Sequence, residues 1–223
     1  MGLDMRPMGK PKKGFEKRYR EIFELIFQDK ILKATIVDKL KGIKKPTKEE
    51  LLQEWFENQI STYETIKAPR VGYDKIADEW IKSRYEQLEQ KPSLEEFLGE
   101  MNGYYVIELA EEQDGVPVYG ALGQDENVFR GQFLRDCEDI LGEDLVSEAW
   151  NTKLADDALD YGNRLMAAAD KLADEYNLEY LKKQRHPPDY DEDSIESKLH
   201  IVYSLAKWLI FYGENGHGYE ADF

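Results

Sequence analysis

The sequence is poor in the residues that most often carry chemistry. It contains one Cys, Cys137, and three His residues, His186, His200 and His217. One Cys excludes an intrachain disulfide and favours a reducing compartment, and no segment has the pattern of a signal peptide, so we expect a cytoplasmic protein. The motifs CxxC, HExxH, GxxxxGKS/T and GxSxG are absent, as is GxGxxG after a strand. The sequence signatures of a zinc site, a phosphate-binding loop and a serine-hydrolase elbow are therefore excluded, and we expect no cofactor.

Long apolar runs are missing as well. No run of apolar residues reaches the roughly 18 that a membrane-spanning helix needs. The most apolar segment of the chain is interrupted by His200 and Lys207. We therefore expect no contact with the interior of a membrane.

That apolar segment, Ser194 to Tyr212, predicts a helix that is buried on all sides. Its apolar residues cannot share one side of a helix with 3.6 residues per turn, so other helices must surround it. Its polar residues form a single line at steps of three or four: Ser197, His200, Ser204 and Lys207. Asp193 with Glu196 resembles a capping box, and Gly213 supplies a left-handed stop. We interpret this segment as the central helix of a helical domain.

Helical spacing covers most of the remaining chain. Thr47 with Glu50 and Ser93 with Glu96 have the pattern of capping boxes that open helices. The longest helix is predicted from a Thr152 cap to about Tyr176. The predicted inward faces include Ile76, Trp80, Phe133, Cys137 and a seam from Leu154 to Tyr176.

One part of the chain has strand character instead. The runs YYVIEL and VPVYGAL, joined through Asp114 and Gly115, predict a β-hairpin over about residues 104–122. Two strands alone are marginal in water, so the hairpin should lie against helices. The predicted fold class is mainly α, a bundle-like domain of several helices around a central C-terminal helix, with one small hairpin.

The predicted domain organisation is simple. Residues 1–13 contain two Pro, three Lys and few apolar side chains, which predicts a flexible basic tail. Residues 14–223 are interpreted as one helical domain, with a two-lobed division near Asn102 as the alternative. The glycine-rich end, GENGHGYEADF, is expected to fray.

Charge is distributed unevenly along the chain. Up to Lys48 there are 14 Lys and Arg against 6 Asp and Glu, and the remainder has 16 against 40. Net charge favours solubility before it favours any partner. Three sharper interpretations remain open: the basic arm binds nucleic acid, the acidic body binds a basic protein, or the two parts neutralise each other.

An acidic stripe is predicted on the side of the longest helix opposite its apolar seam. Its members recur at steps of three, four or seven residues: Asp156, Asp160, Asn163, Asp170 and Asp174. Like charges at such spacings weaken an isolated helix by roughly 0.2 to 0.5 kcal/mol per pair, so something should offset them. The alternatives are solvent and salt, a basic protein partner, or a divalent ion held between helices. With 46 acidic residues in the chain, such spacings also arise by chance, and a solvated face is the simplest interpretation.

The other candidate residues have simple structural interpretations. His200 lies on the polar line of the central helix, where a buried, hydrogen-bonded imidazole is favoured over a general base. His217 lies in the glycine-rich end. Cys137 shares an apolar helix face and is interpreted as core filling rather than as a nucleophile.

The basic arm is the remaining candidate surface. It consists of Lys10, Lys12, Lys13, Lys17, Arg18 and Arg20. Phosphate binding by such residues would fall steeply with salt. The neighbouring aromatic residues lie on the apolar helix face, which leaves no stacking platform for single-stranded nucleic acid. Nucleic acid is therefore disfavoured as the partner.

The sequence supports three functional hypotheses in a fixed order. The first is a non-enzymatic protein-protein interaction module of inhibitor, immunity or mimic type that meets a basic protein surface. The second is a divalent-metal-dependent helical hydrolase of nucleotides or phosphoesters, and the third is a nucleic-acid binder that uses the basic arm. The opening MGLDM is similar to the start of short proteins common in phage-rich genomes, which suggests a phage association but, over five residues, carries no function across. The oligomeric state is left open.

Overall fold

The structure is a computed structural model, and it describes residues 2–27, 46–104, 106, 109, 128–184, 188, 189, 191 and 193–223. The described chain is mostly helical and carries small antiparallel sheets, which confirms the predicted fold class. No described helix is both long and apolar enough to cross a membrane. Most of the predicted hairpin at 104–122 lies outside the described residues, as does His186.

The chain divides into two compact units. Unit 2 is Gly9–Ser61, and unit 1 consists of Met1–Met8 together with Thr62–Phe223. The predicted division near Asn102 is therefore not the one that separates these units. A small cluster of apolar residues around Ile81 and Phe97 does form a core of its own inside unit 1.

Unit 2 is organised by aromatic packing. It contains strand β2 (Lys10–Pro11), helix α1 (Glu16–Phe27), helix α2 (Lys48–Glu57) and strand β3 (Gln59–Ile60), and β2 pairs with β3. Tyr19 of α1 stacks on Trp55 of α2 with 3.5 Å between ring centroids. Burial raises the pKa of Tyr19, whose hydroxyl donates to the Gly9 carbonyl. The predicted capping box is present at the start of α2, where Thr47 and Glu50 bond reciprocally.

Unit 1 contains the remaining elements. Its helices and strands are β1 (Asp4–Pro7), α3 (Thr62–Ile66), α4 (Lys75–Glu86), α5 (Leu94–Met101), β4 (Phe129–Arg130), α6 (Glu138–Leu141), α7 (Glu143–Ser147), α8 (Ala155–Tyr176), α9 (Ile195–Glu214) and β5 (Tyr219–Asp222). Short 3-10 helices occupy Gly131–Cys137, Glu148–Trp150 and Glu179–Lys183. The predicted capping box of Ser93 and Glu96 opens α5.

Helix α9 is the predicted central helix, and it is buried on nearly every side. Its fully buried residues include Leu199, Val202, Leu205, Ala206, Trp208 and Leu209. The N-cap is Ser194 rather than the predicted Asp193, because the Ser194 hydroxyl accepts the Ser197 amide at 3.2 Å. The predicted boundaries are otherwise correct to within two residues.

Two glycines allow α8 and α9 to approach closely. A Cβ added to Gly162 of α8 would lie 2.8 Å from Leu209 Cβ, and one added to Gly213 of α9 would lie 2.8 Å from Leu159 Cβ. Real Cβ atoms do not approach so closely, so both positions require the missing side chain. The helix pair is the largest contact within unit 1 and sets the position of the elements around it.

The predicted flexible tail is wrong for the start of the chain. Residues 4–7 form β1, the central strand of a sheet with the order β4-β1-β5, antiparallel to both neighbours. Leu3 and Met5 are fully buried. The composition of the segment suggested disorder, whereas its short alternation of apolar and polar residues is typical of a half-buried strand.

The glycine-rich end is ordered as well, which corrects the expectation that it frays. Tyr219 to Asp222 form β5, and His217 is fully buried. Gly216 has a φ of +86°, a conformation that favours glycine and lets the chain reverse between α9 and β5. The strand is held by β1, a partner more than 200 residues away in the sequence.

The helical interpretation of residues 131–137 has the wrong period. In the 3-10 helix the buried residues are Gly131, Leu134 and Cys137, at steps of three. Phe133, predicted to point inward, is therefore 44% exposed. Ile76 of α4 was also predicted inward and is 62% exposed, because α4 buries Ala77 and Ile81 instead.

We predict that Gly162→Ala destabilises the protein by about 1 to 3 kcal/mol, because the added methyl group overpacks the contact with α9. Gly99 of α5 is the matched control, since a Cβ there meets nothing within 4 Å. Gly99→Ala should instead stabilise by about 0.5 to 1 kcal/mol through helix propensity. Urea unfolding of the two variants measures both effects, and equal free energies of unfolding would contradict the close approach.

Candidate functional site

The acidic stripe lies on α8 as the sequence predicts, although only part of it faces solvent without a basic partner. Asp156, Asp160, Asn163 and Asp174 are exposed, and the opposite face buries Ala158, Tyr161, Leu165, Ala169 and Ala173. The N-cap of α8 is Leu154 rather than the predicted Thr152, whose hydroxyl accepts the Ala221 amide of β5 at 3.1 Å. Tyr176, at the end of the predicted seam, is half exposed.

Asp170 is a structural anchor within the stripe. Lys182 Nζ lies 2.8 Å from both carboxylate oxygens, and the Tyr203 hydroxyl donates to Oδ1 at 3.0 Å. Burial and this neighbouring carboxylate raise the pKa of Tyr203. Asp170 thus joins α8 to α9 and to the 3-10 helix Glu179–Lys183, and its charge is already balanced.

A charged network that the sequence did not indicate lies at the start of α8. Glu148 accepts from Arg164 at 2.7 Å and from Lys153 at 2.8 Å, and Arg164 also donates to Asp160 at 2.8 Å. The hydrogen bonds from Arg164 lower the pKa of Glu148 to about 2. These partners are 5 to 16 residues apart in the sequence. Of the network, only the i,i+4 pair of Asp160 and Arg164 could be seen from spacing.

An acidic surface remains beside this network. Residues 136–157 contain eight Asp and Glu against one Lys. Asp139 pairs with Lys198, and Glu148 with Lys153 and Arg164. Five further carboxylates are exposed and form no ion pair within the described part of the chain: Asp136, Glu138, Glu143, Asp144 and Asp157. These five residues are called the acidic surface below.

Two features hold the acidic surface in place. Gly142, with a φ of +83°, joins α6 directly to α7, and the Tyr161 hydroxyl of α8 donates to the Leu145 carbonyl of α7 at 2.8 Å. Four of the five carboxylates stand in the first turn of a helix, where the helix dipole favours a negative charge by about 0.3 to 1 kcal/mol. Their positions therefore have a local structural reason, and their charge still faces outward.

An exposed aromatic ring adjoins the acidic surface. Phe133 lies three residues before Asp136 in the 3-10 helix, so the two side chains share one face. The ring is 44% exposed, although large apolar side chains are usually buried. The surface therefore combines carboxylates with one apolar group.

The histidines and the cysteine are placed inside unit 1. His200 is buried on α9, and its predicted hydrogen-bonded role stays a prediction. His217 is buried rather than frayed. Cys137 is fully buried, and burial raises the pKa of its thiol to about 12, which opposes formation of a nucleophilic thiolate at neutral pH.

The basic arm belongs to the ordered part of unit 2. Lys12 Nζ donates to the Glu57 carbonyl at 2.6 Å, and Arg18 binds the Glu54 carboxylate through two nitrogens at 2.7 and 2.9 Å. Lys10 is part of β2. The exposed members are Lys12, Lys13, Lys17 and Arg20. A role in nucleic-acid binding remains untested.

The described carboxylates do not converge. Among the described residues, no group of three or more His, Cys, Asp or Glu side chains is arranged to hold a metal ion. The stripe residues run along one helix face instead of meeting those of another helix. Comparisons with protein families, with curated proteins and with solved structures found no match to this chain.

We predict that Glu148→Gln destabilises the protein by about 1.5 to 3 kcal/mol at pH 7, the range for hydrogen bonds to charged groups. The folded-state pKa of Glu148 is lowered, so its contribution is complete above about pH 4.5 and is lost as the pH falls through about 2. The stability difference between wild type and variant should shrink over that interval in chemical unfolding experiments.

The control for this measurement is Glu143→Gln, which removes an exposed carboxylate without an ion pair in the described chain. It should change stability by no more than about 0.5 kcal/mol at any pH. A difference for Glu148→Gln that is independent of pH between about 4.5 and 2 would contradict the network.

Proposed function

We propose that this protein is a non-enzymatic interaction module that binds a basic surface of another protein through its acidic surface. The observation that carries the proposal is the set of five exposed carboxylates on α6, α7, α8 and the preceding 3-10 helix, which form no ion pair in the described chain. An inhibitor, immunity protein or mimic would use such a surface. The single Cys favours a function in the cytoplasm.

Electrostatic attraction would act mainly on specificity and on the rate of association. A surface of one sign attracts partners of the opposite sign and repels partners of the same sign. Exposed carboxylates separated by more than about 8 to 10 Å from a partner charge are largely screened at physiological salt. Binding should therefore weaken strongly as the salt concentration rises.

Phe133 supplies what the carboxylates lack. Buried aromatic side chains carry much of the binding energy at protein interfaces, whereas charges at the rim contribute little. An exposed ring on the same face as Asp136 could enter an apolar depression of the partner. The preferred partner thus combines Lys and Arg side chains with an apolar pocket.

The other two hypotheses receive less support from the described residues. A metal-dependent hydrolase requires carboxylates from separate helices in one cleft, and the described carboxylates do not gather in that way. A nucleic-acid binder would use the basic arm, where Arg18 is engaged by Glu54 and Lys12 by a backbone carbonyl.

The test compares two variants of equal net charge. The first neutralises part of the acidic surface through Asp136→Asn, Glu143→Gln, Asp144→Asn and Asp157→Asn. The control neutralises four exposed carboxylates elsewhere in unit 1: Glu89→Gln, Glu95→Gln, Glu100→Gln and Glu214→Gln. Immobilised wild type and both variants are incubated with lysate, and the captured proteins are identified.

We expect wild type and the control to capture the same basic proteins and to release them at about 0.5 M salt. The surface variant should lose them, and Phe133→Ala should reduce capture without changing the salt dependence. Capture of only acidic proteins, retention at about 0.5 M salt, or equal losses in both charge variants would contradict the proposal.

A further inference from the structure

One buried imidazole contacts both places where the chain crosses the boundary of unit 1. Met8 is the last residue of unit 1 before Gly9–Ser61, and Thr62 is the first residue after it. His217 Nδ1 lies 2.8 Å from the Met8 carbonyl oxygen, and Nε2 lies 2.6 Å from Thr65 Oγ1 on α3. We call Met8 and α3 the two stems. The imidazole, which is fully buried, is bonded to both.

The backbone around His217 fixes the position of the ring. The His217 amide donates to the Tyr212 carbonyl at 2.9 Å, and the Met8 amide donates to the Gly218 carbonyl at 2.9 Å. A Cβ at Gly218 would overlap the Lys153 carbonyl oxygen, so only glycine fits there. The imidazole therefore cannot shift far without opening the end of β1.

Counting hydrogens gives this site two states. The Met8 carbonyl can only accept, so Nδ1 carries a hydrogen. Thr65 Oγ1 has one hydrogen and lies 2.6 Å from both the Thr62 carbonyl oxygen and His217 Nε2. With a neutral ring, the Thr65 hydroxyl donates to Nε2. With a charged ring, Nε2 donates to Thr65, whose hydrogen turns to the Thr62 carbonyl.

The two states differ in the charge that the protein interior must hold. The titratable groups on the surrounding elements are Glu64 of α3, Tyr212 and Glu214 at the end of α9, Lys153 beside β5, and Glu220 of β5. The Tyr212 ring faces the imidazole edge-on at 6.3 Å. The three carboxylates belong to exposed residues, and the Lys153 amine is bonded to Glu148. A charge on a fully buried ring between a carbonyl and a hydroxyl is costly.

We infer that His217 is a proton-sensitive clasp: its neutral imidazole holds Met8 to α3, and its protonation favours opening of both stems. The opened state can hydrate the imidazolium, whereas the closed state buries it. The opened state therefore binds more protons, and the stability of the clasp falls as the pH falls. The device acts within unit 1 and does not depend on the proposed partner.

The test is hydrogen exchange of the full chain at about pH 7.5 and about pH 5.5, corrected for the intrinsic pH dependence of amide exchange. Peptides that cover residues 2–8, 62–66 and 215–222 should lose protection in acid, by up to about tenfold per pH unit for one proton. His217→Asn keeps a donor for the Met8 carbonyl and cannot titrate, so its stems should show no such loss. His200→Asn, the control on α9, should keep the loss.

Equal protection of the wild-type stems at both pH values, or the same acid effect in His217→Asn, would overturn the inference. If His217→Asn does not fold, nitrogen NMR of the wild-type ring decides. We expect one bare ring nitrogen at about pH 7.5 and its protonation in step with the loss of stem protection. A ring that carries two hydrogens at about pH 8, or that never titrates above about pH 5, would also overturn it.

Discussion

The close packing of α8 against α9 is the constraint on which the rest of unit 1 depends. It requires no side chain at Gly162 and Gly213, because each faces the backbone or the Cβ of the other helix. The tyrosines of this core keep their polar ends satisfied: Tyr161 donates to Leu145 and Tyr219 to Ala149. With α9 enclosed in this way, the outer faces of α6, α7 and α8 are the parts of the core elements that remain for contact with other molecules.

The elements that follow from local sequence are the ones that the sequence predicts well. Helix α9 is recognisable because it is apolar all round, and the capping boxes at Thr47 and Ser93 depend on residues only three apart. Strand β1 is not recognisable in this way, because it is four residues long and its partners lie more than 120 residues away. Burial of short strands is a long-range effect that local composition does not report.

The candidate site was predicted in part and for similar reasons. The stripe on α8 follows from helical periodicity, but Asp170 turned out to be held by Lys182 and Tyr203. The exposure of Phe133 could not be predicted, because a 3-10 helix and an α-helix give different faces to the same residues. The carboxylates of the acidic surface were visible as composition, and only the structure distinguishes those with a basic partner from those without one.

Hydrogen exchange under native conditions tests most directly whether α9 is the element on which unit 1 depends. The buried amides of residues 199–212 should exchange only through global unfolding, with the same free energy that chemical denaturation gives for unit 1. No other described helix of unit 1 should exchange more slowly. Exchange of these amides at a clearly lower free energy than those of α8, or through local opening while the rest of unit 1 stays folded, would contradict the account.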